Sequence, residues 1–350
     1  MISYIIIGVI KSAIVIFVLL TAVAYAVWLE RKVVGRMQNR WGPTRVGPFG
    51  LLQPLADGVK FILKEDLTPP HVHKFLFILA PMLSVVLALI SISVIPFGNS
   101  ITVANTSTSL QITGALTSSG GNGDINIALL ILLGVTSIAV YGVALAGWSS
   151  DSKYALLGSL RASAQMISYE LSLGLSLVGV LMLSGSFSLR QIVDKQGGGI
   201  SHWFIWPQFI AFFIYLISAY AETNRIPFDL PEAETELVAG YHTEYSSMKF
   251  AMFFMAEYTN MITVACVATL LFFGGWHGPI PQAFPPILQA LVPIFWFCLK
   301  VFLFIFLYIW VRGTLPRFRY DQLMAFGWKV LLPLAIANII VTSFIVAYFS

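Results

Sequence analysis

Glu222-Thr-Asn-Arg225-Ile-Pro227-Phe228-Asp229-Leu-Pro231-Glu232-Ala-Glu234-Thr-Glu236 stands between two apolar windows, 203–221 and 249–273, and that contrast decides the fold. From Glu222 to Glu257 the sequence places seven acidic residues in a chain that is only 10% charged and 58% hydrophobic. Carboxylates this dense are costly beside hydrocarbon unless water, partners or a function keep them there. The windows therefore read as membrane spans and the acidic stretch as the working loop between them. Pro227 and Pro231 fix two φ angles, which favours an ordered loop, and Pro231 suits the first turn of a short helix that Gly240 would stop. On such a helix Glu232 and Glu236 share a face and Glu234 points elsewhere. A plain solvated acidic loop remains the other reading of composition alone.

Outward from this stretch the same contrast recurs. Windows of about 20 apolar residues, the length needed to cross a bilayer, lie near 3–29, 75–96, 126–148, 160–184, 203–221, 249–273, 289–311 and 326–348. A mean hydropathy of +0.84 with 27 Phe and 9 Trp belongs to a polytopic membrane protein. The expected fold is all-α: a single transmembrane domain over residues 1–350, with about eight transmembrane helices, an amphipathic surface helix near 50–64 and ordered cytoplasmic loops, the acidic one at 222–248. Runs this continuous exclude a closed barrel. The first window is too long for a cleaved signal and lacks a basic lead, so it reads as a retained helix.

Charge distribution sets the orientation. The loops after spans one, three, five and seven hold 16 of the 20 Lys and Arg, and the opposite side holds only Arg190 and Lys195. Basic residues mark the cytoplasmic side, so both termini face outward and the acidic loop faces the cytoplasm. Cys266 and Cys298, the two cysteines, both fall inside apolar windows, which argues against a disulfide framework or a cysteine-held cluster. Any iron–sulfur chemistry must then belong to partners. No glycine-rich nucleotide fingerprint is present, and nothing points to nucleic acid.

Several positions stand out along the chain. The run Leu51 to Lys64 puts Gln53, Asp57, Lys60 and Lys64 on one helical stripe and Leu51, Leu52, Leu55, Val59 and Ile62 on the other, which places it along the inner membrane surface. It reads either as an interfacial anchor or as the lip of a lipid-accessible chamber. Glu170 and Glu257 lie inside spans, where an ionisable side chain costs about 2.5–3.5 kcal/mol on insertion scales and usually faces a cavity or partner. With Glu30 and Glu222 at inner helix ends they outline a carboxylate trail from the inner surface into the membrane. A structural tie to a neighbouring tyrosine is the alternative for each of them. Lys300, mid-span, is either a relay member or half of an ion pair. His71 and His73 have chelating spacing but no accompanying ligand set, so no metal is expected.

Two stretches together, Gly50-Leu51-Leu52-Gln53-Pro54-Leu55-Ala56-Asp57-Gly58-Val59-Lys60 through Lys64-Glu65 and Glu222 through Gly240, resemble the H-type subunits of respiratory complex I, the counterparts of mitochondrial subunit 1. Glu30-Arg31, Arg40-Trp41-Gly42-Pro43 and the span pattern are similar as well. The resemblance implies a membrane-arm subunit of a proton-translocating NADH:quinone oxidoreductase, in the bacterial inner membrane at the junction with the peripheral arm. It would form a quinone access tunnel and chamber and couple quinone reduction to proton translocation. By the same resemblance Glu170, Glu222, Arg225, Asp229, Glu232, Glu234, Glu236 and Glu257 would be coupling residues, and Arg36, Gln53, Asp57, Lys60, Glu65, Asp66 and Phe228 would line or support the chamber. It further implies quinone as substrate, no cofactor on this chain, and FMN and iron–sulfur clusters in partner subunits. Expected partners are the other membrane-arm subunits, the quinone-site subunits of the peripheral arm, and membrane lipids. His242 departs from the family pattern, a titratable group where an uncharged amide is expected. Related membrane hydrogenases and other quinone or methanophenazine reductases use similar subunits, and a stand-alone ion antiporter or a purely structural anchor are the readings from other classes.

Overall fold

The computed structural model describes residues 2–98, 101–103, 106–108, 125–229, 240–279 and 286–349. Eleven helices are used below: α1 (Ile2–Met37), α2 (Gln53–Leu63), α3 (Lys74–Ser93), α4 (Ala128–Ser149), α5 (Lys153–Ser184), α6 (Leu189–Lys195), α7 (Phe209–Glu222), α8 (Ser247–Phe272), α9 (Pro286–Thr314), α10 (Tyr320–Phe326) and α11 (Leu332–Phe349). A short antiparallel hairpin pairs Ile101–Val103 with Thr106–Thr108. Seven helices among the described residues are long and apolar enough to cross a membrane, counting α10 and α11 as one. Apart from that hairpin, the regular elements among the described residues are helices, and the chain is an all-α polytopic membrane protein.

The fifth predicted window differs. Residues 203–208 form turns, and α7 has only 14 residues, about 21 Å at the rise of an α-helix, against a hydrocarbon core of about 30 Å. The physical cause is local. Pro207 has no N–H to give a helix that started earlier, and the buried Gln208 turns its side chain sideways, donating from Nε2 to Thr342 Oγ1 at 2.9 Å and accepting at Oε1 from Asn338 Nδ2 at 2.9 Å.

α1 runs eight residues beyond the predicted end at 29 and stops at Met37. Its polar tail, Glu30 to Arg36, consists mostly of good helix formers. Asn39, at φ 54°, closes the helix: Arg40 N–H bonds Gly35 O at 2.9 Å and Asn39 N–H bonds Arg36 O at 3.2 Å, the paired bonds of a left-handed cap. Gly50 also needs its positive φ of 77°, because a Cβ there would lie 2.2 Å from Pro43 O.

α3, α4, α5, α7, α8 and α11 pack in a chain of neighbours, with α8 deepest, while α1 and α9 lean on α8 from outside. Between α10 and α11 residues 327–331 widen into a π-turn, with Leu332 N–H bonding Gly327 O. Pro333 explains it, since its ring would clash with the carbonyl four residues back in a regular helix. Gly327 lets this segment close on the ring of Tyr169, whose hydroxyl donates to Leu323 O at 2.8 Å.

Candidate functional site

The loop after α7 is held from α5. Gln165, fully buried, donates from Nε2 to Ala221 O at 2.8 Å and to Phe228 O at 2.7 Å, clamping both ends of the segment between them. The Ile226–Pro227 bond is cis, and Pro227 O accepts from Phe318 N–H at 3.1 Å. These ties carry Arg225 inward and Asp229 toward the α9–α10 connection. The predicted short helix with Glu232, Glu234 and Glu236 lies outside the described residues.

Arg225 is the hub. Its Nη2 lies 3.3 Å from Glu257 Oε2, and its guanidinium carbon sits 4.2 Å from the ring centroid of Tyr258. Tyr241 donates its hydroxyl to Glu257 Oε1 at 3.2 Å. Tyr258 donates to Glu30 Oε2 at 2.8 Å, and the other oxygen of Glu30 accepts from Arg312 Nη1. Glu257, Arg225, Tyr258, Glu30 and Arg312 thus form one connected set drawn from α8, the acidic loop, α1 and α9. Buried ion pairs depend on additional hydrogen bonds to the paired groups, and each of the two carboxylates here accepts one from a tyrosine hydroxyl.

Other predicted residues sit apart. Asp229, buried, pairs with Arg317 Nη2 at 3.1 Å. Glu170, near the middle of α5, accepts from Ser137 Oγ on α4, and its neighbour Tyr169 bonds elsewhere. Glu222 ends α7 and faces a small cavity together with Glu257. Of the chamber set, Asp57 accepts from Gln53 Nε2 at 3.0 Å and pairs with Arg31 at 2.8 Å, while Asp66 pairs with Lys249 at 3.0 Å. Arg36 lies 4.1 Å over the Trp41 ring, and Lys60 and Glu65 are exposed. Phe228 is core, packed beside Tyr169 and Phe318.

A cavity of about 730 Å³ opens between α1, α8 and α9, lined by apolar side chains that include Leu19, Trp28, Leu29, Ile262 and Phe297. It reaches the turn of α1 that carries Glu30, and α2 does not line it. Among the described residues Lys300 makes no ion pair. Its Nζ donates to the carbonyls of Phe273, Gly275 and His277 at 2.7, 2.9 and 2.7 Å, capping the C-terminal end of α8. The surroundings of His242 bear on its charge. Burial, assisted by the Arg225 guanidinium, pushes its pKa down to about 3, which favours the neutral imidazole at pH 7.

Sequence reasoning did not single out Arg312, Arg317, Tyr241 or Gln165. Arg312 at the inner end of α9 and Glu30 at the inner end of α1 were visible as opposite charges at one depth, and Gln165 as a polar residue inside an apolar span.

The family model described as NADH dehydrogenase matches residues 10–343. The second H-type chain of NADH-quinone oxidoreductase from Koribacter versatilis is 75% identical, with 98% of each chain covered. The first H-type chain of the same enzyme from Solibacter usitatus is 49% identical, covering 99% of this chain and 98% of its own. The corresponding chain of Protochlamydia amoebophila is 53% identical over 93% of each chain.

Proposed function

The chain belongs to the NADH dehydrogenase family, among the H-type subunits of NADH-quinone oxidoreductase, and on that footing we propose that it forms the quinone access path and chamber of the complex and couples quinone reduction to proton movement. Two observations support this reading: the connected set Glu257, Arg225, Tyr258, Glu30 and Arg312, and the apolar cavity whose α1 wall ends at Leu29, the residue before Glu30. Such a cavity suits an isoprenoid-type substrate arriving from the bilayer, because its walls offer hydrocarbon contact and little else. Reducing a quinone to a quinol takes up two electrons and two protons. Charge that appears or vanishes in a low-dielectric site strongly biases nearby carboxylates.

In this reading electrons come from NADH through FMN and iron–sulfur clusters in partner subunits, and this chain carries no redox cofactor. The Arg31–Asp57–Gln53 cluster and Asp66–Lys249 support the cytoplasmic rim, with Arg36, Lys60 and Glu65 facing the peripheral arm. Glu170, Glu222 and Asp229, with Glu232, Glu234 and Glu236 of the acidic loop, serve the coupling. The protein sits in the inner membrane with both termini outward.

Two measurements test the reading. The tagged chain, purified in mild detergent from its native membrane, should bring flavin, iron–sulfur clusters and inhibitor-sensitive NADH-to-quinone activity. Nickel without NADH oxidation would point instead to a hydrogenase, and a lone cofactor-free chain to an antiporter. In proteoliposomes Glu257→Gln should lower pumping about a hundredfold or more, within the range general acid–base groups contribute. Unchanged quinone reduction and pumping would remove Glu257 from the coupling path.

A further inference from the structure

No residue of α2 is buried, and Leu55, Ile62 and Leu63 are exposed, so apolar packing does little to place this helix. Polar ties from two neighbours, α1 and α8, hold it instead. On the α1 side Arg31 pairs with Asp57 at 2.8 Å, and Gln53 Nε2 orients that carboxylate at 3.0 Å. On the α8 side Ser247 Oγ donates to the carbonyls of Phe61 and Lys64, both at 2.9 Å, and so caps the C-terminal end of α2 from another helix. Ser246 Oγ accepts from Leu67 N–H at 3.0 Å, and Lys249 Nζ reaches Asp66 at 3.0 Å and Thr68 Oγ1 at 2.8 Å.

The start of α8 gives up local order to make these contacts. Ser246 immediately precedes the helix, where a serine side chain normally accepts from the backbone of the first turn. Its hydroxyl serves Leu67 instead, and no side-chain cap forms. Ser247, 4% exposed, is held at φ 52°, a left-handed backbone that is costly for any residue with a Cβ. Strain of this kind persists only where surrounding contacts impose it, and it gathers at functional positions.

We propose that α2 is a tie-bar that fixes the spacing of α1 and α8 at the inner end of the apolar cavity, and that Ser247 is the positioning residue through which it acts on quinone binding. The inference rests on the quinone-access reading above and deepens it by naming what sets the width of the path. Both tied helices line the cavity, α1 through residues that include Leu19, Trp28 and Leu29, and α8 through Ile262 and Cys266. Arg31 follows Leu29 by two positions, and between them Glu30 accepts from Tyr258 of α8 at 2.8 Å. The α2 ties therefore act on the two helices just below the level at which that hydrogen bond joins them. With α2 released, the walls are free to part there, and a bound quinone loses contacts that it makes equally before and during reduction. A loss of that kind raises KM and spares kcat.

The experiment uses the intact complex in proteoliposomes, with the quinone extracted from the same membrane as substrate. Ser247→Gly removes the hydroxyl while suiting the positive φ, so the variant loses the tie without added strain. Its KM for quinone should rise about two- to tenfold, the worth of one net hydrogen bond, with kcat kept. A merely structural role would lower the amount of assembled complex and leave the KM of what remains unchanged. The parental KM in Ser247→Gly overturns the proposal, and so does a fall in kcat at unchanged KM. Lys249→Met, which cuts only the ties to Asp66 and Thr68, should shift KM in the same direction and decides the matter should the glycine variant not assemble. Amide hydrogen exchange over residues 53–64 should be faster in whichever variant is used, and exchange equal to the parent overturns the tie-bar. Cys298→Trp, which fills the cavity itself, separates the two levels. If it raises KM while Ser247→Gly does not, only the tie-bar falls; if it leaves KM unchanged, the access reading falls with it.

Discussion

Replacing Arg225 by Met tests the hub directly, because it removes the guanidinium and keeps an unbranched apolar stem of similar reach. At 3.3 Å from Glu257, with the two side chains 7% and 15% exposed, the Coulomb attraction is about 5 kcal/mol at an effective dielectric of about 20. Stacking on Tyr258 at 4.2 Å adds about 0.5–2 kcal/mol. Desolvation offsets much of this in the intact protein, so the pair as a whole is worth far less than its attraction. Removing one member is different, since it strands the other, and a cost of about 3–5 kcal/mol is expected. Arg225→Met should therefore be strongly destabilising and Glu257→Leu comparably so, while the double variant recovers most of the loss. Unfolding of the chain in mixed micelles, followed by tryptophan fluorescence for the parent, both single variants and the double variant, gives the coupling energy. A value of about 3 kcal/mol or more fits the geometry. A value below about 0.5 kcal/mol, the additivity limit for independent sites, would refute the claim that these groups form one unit.

His242 makes stability depend on pH. Its folded pKa, lowered by burial and then by Arg225 to about 3 from 6.5, means the unfolded chain binds more protons between those values. The stability is thus complete above about pH 6.5 and falls as the pH drops toward 3, by about 1.4 kcal/mol per unit. Melting between pH 7.5 and 4.5 should show that slope, and His242→Asn should flatten it. Lys300→Met leaves three carbonyls of the α8 terminus without their donor, so the melting temperature and the assembled fraction should drop, each lost bond costing about 1–3 kcal/mol. The complex that does assemble should still pump at the parental rate, and a pumping defect there would restore Lys300 as a relay. Gly50→Ala meets Pro43 O and a positive φ. It should cost about 1–2 kcal/mol in backbone strain alone, read as faster proteolysis of the 42–52 segment with α3 to α5 unaffected.

Much of the site was legible in the sequence for one reason: ionisable groups are expensive in hydrocarbon, so each one that persists inside or beside a span announces itself. Glu257 and Glu30 were visible that way, Arg225 was implied only by the family resemblance, and the structure brings those three together. Glu170 was equally visible and lies elsewhere, against Ser137. Nothing in one dimension separates these outcomes, because the choice depends on which helix faces meet. The link from Glu30 to Arg312 spans 282 positions, a separation no local pattern encodes.

Composition and period by themselves determined that the chain is a helical membrane protein. Backbone groups in lipid must be satisfied within the segment, so a long apolar run leaves one choice. Only the tertiary structure decided what the polar residues do. Lys300 looked like a charge awaiting a counter-charge and is a cap on three carbonyls. His242 looked titratable and is held neutral by its burial. Span five looked complete and is cut short where Gln208 turns to α11. In each case the deciding quantity is the set of partners within about 3 Å and the dielectric around them. Both are properties of packing between distant segments and are not written in any one of them.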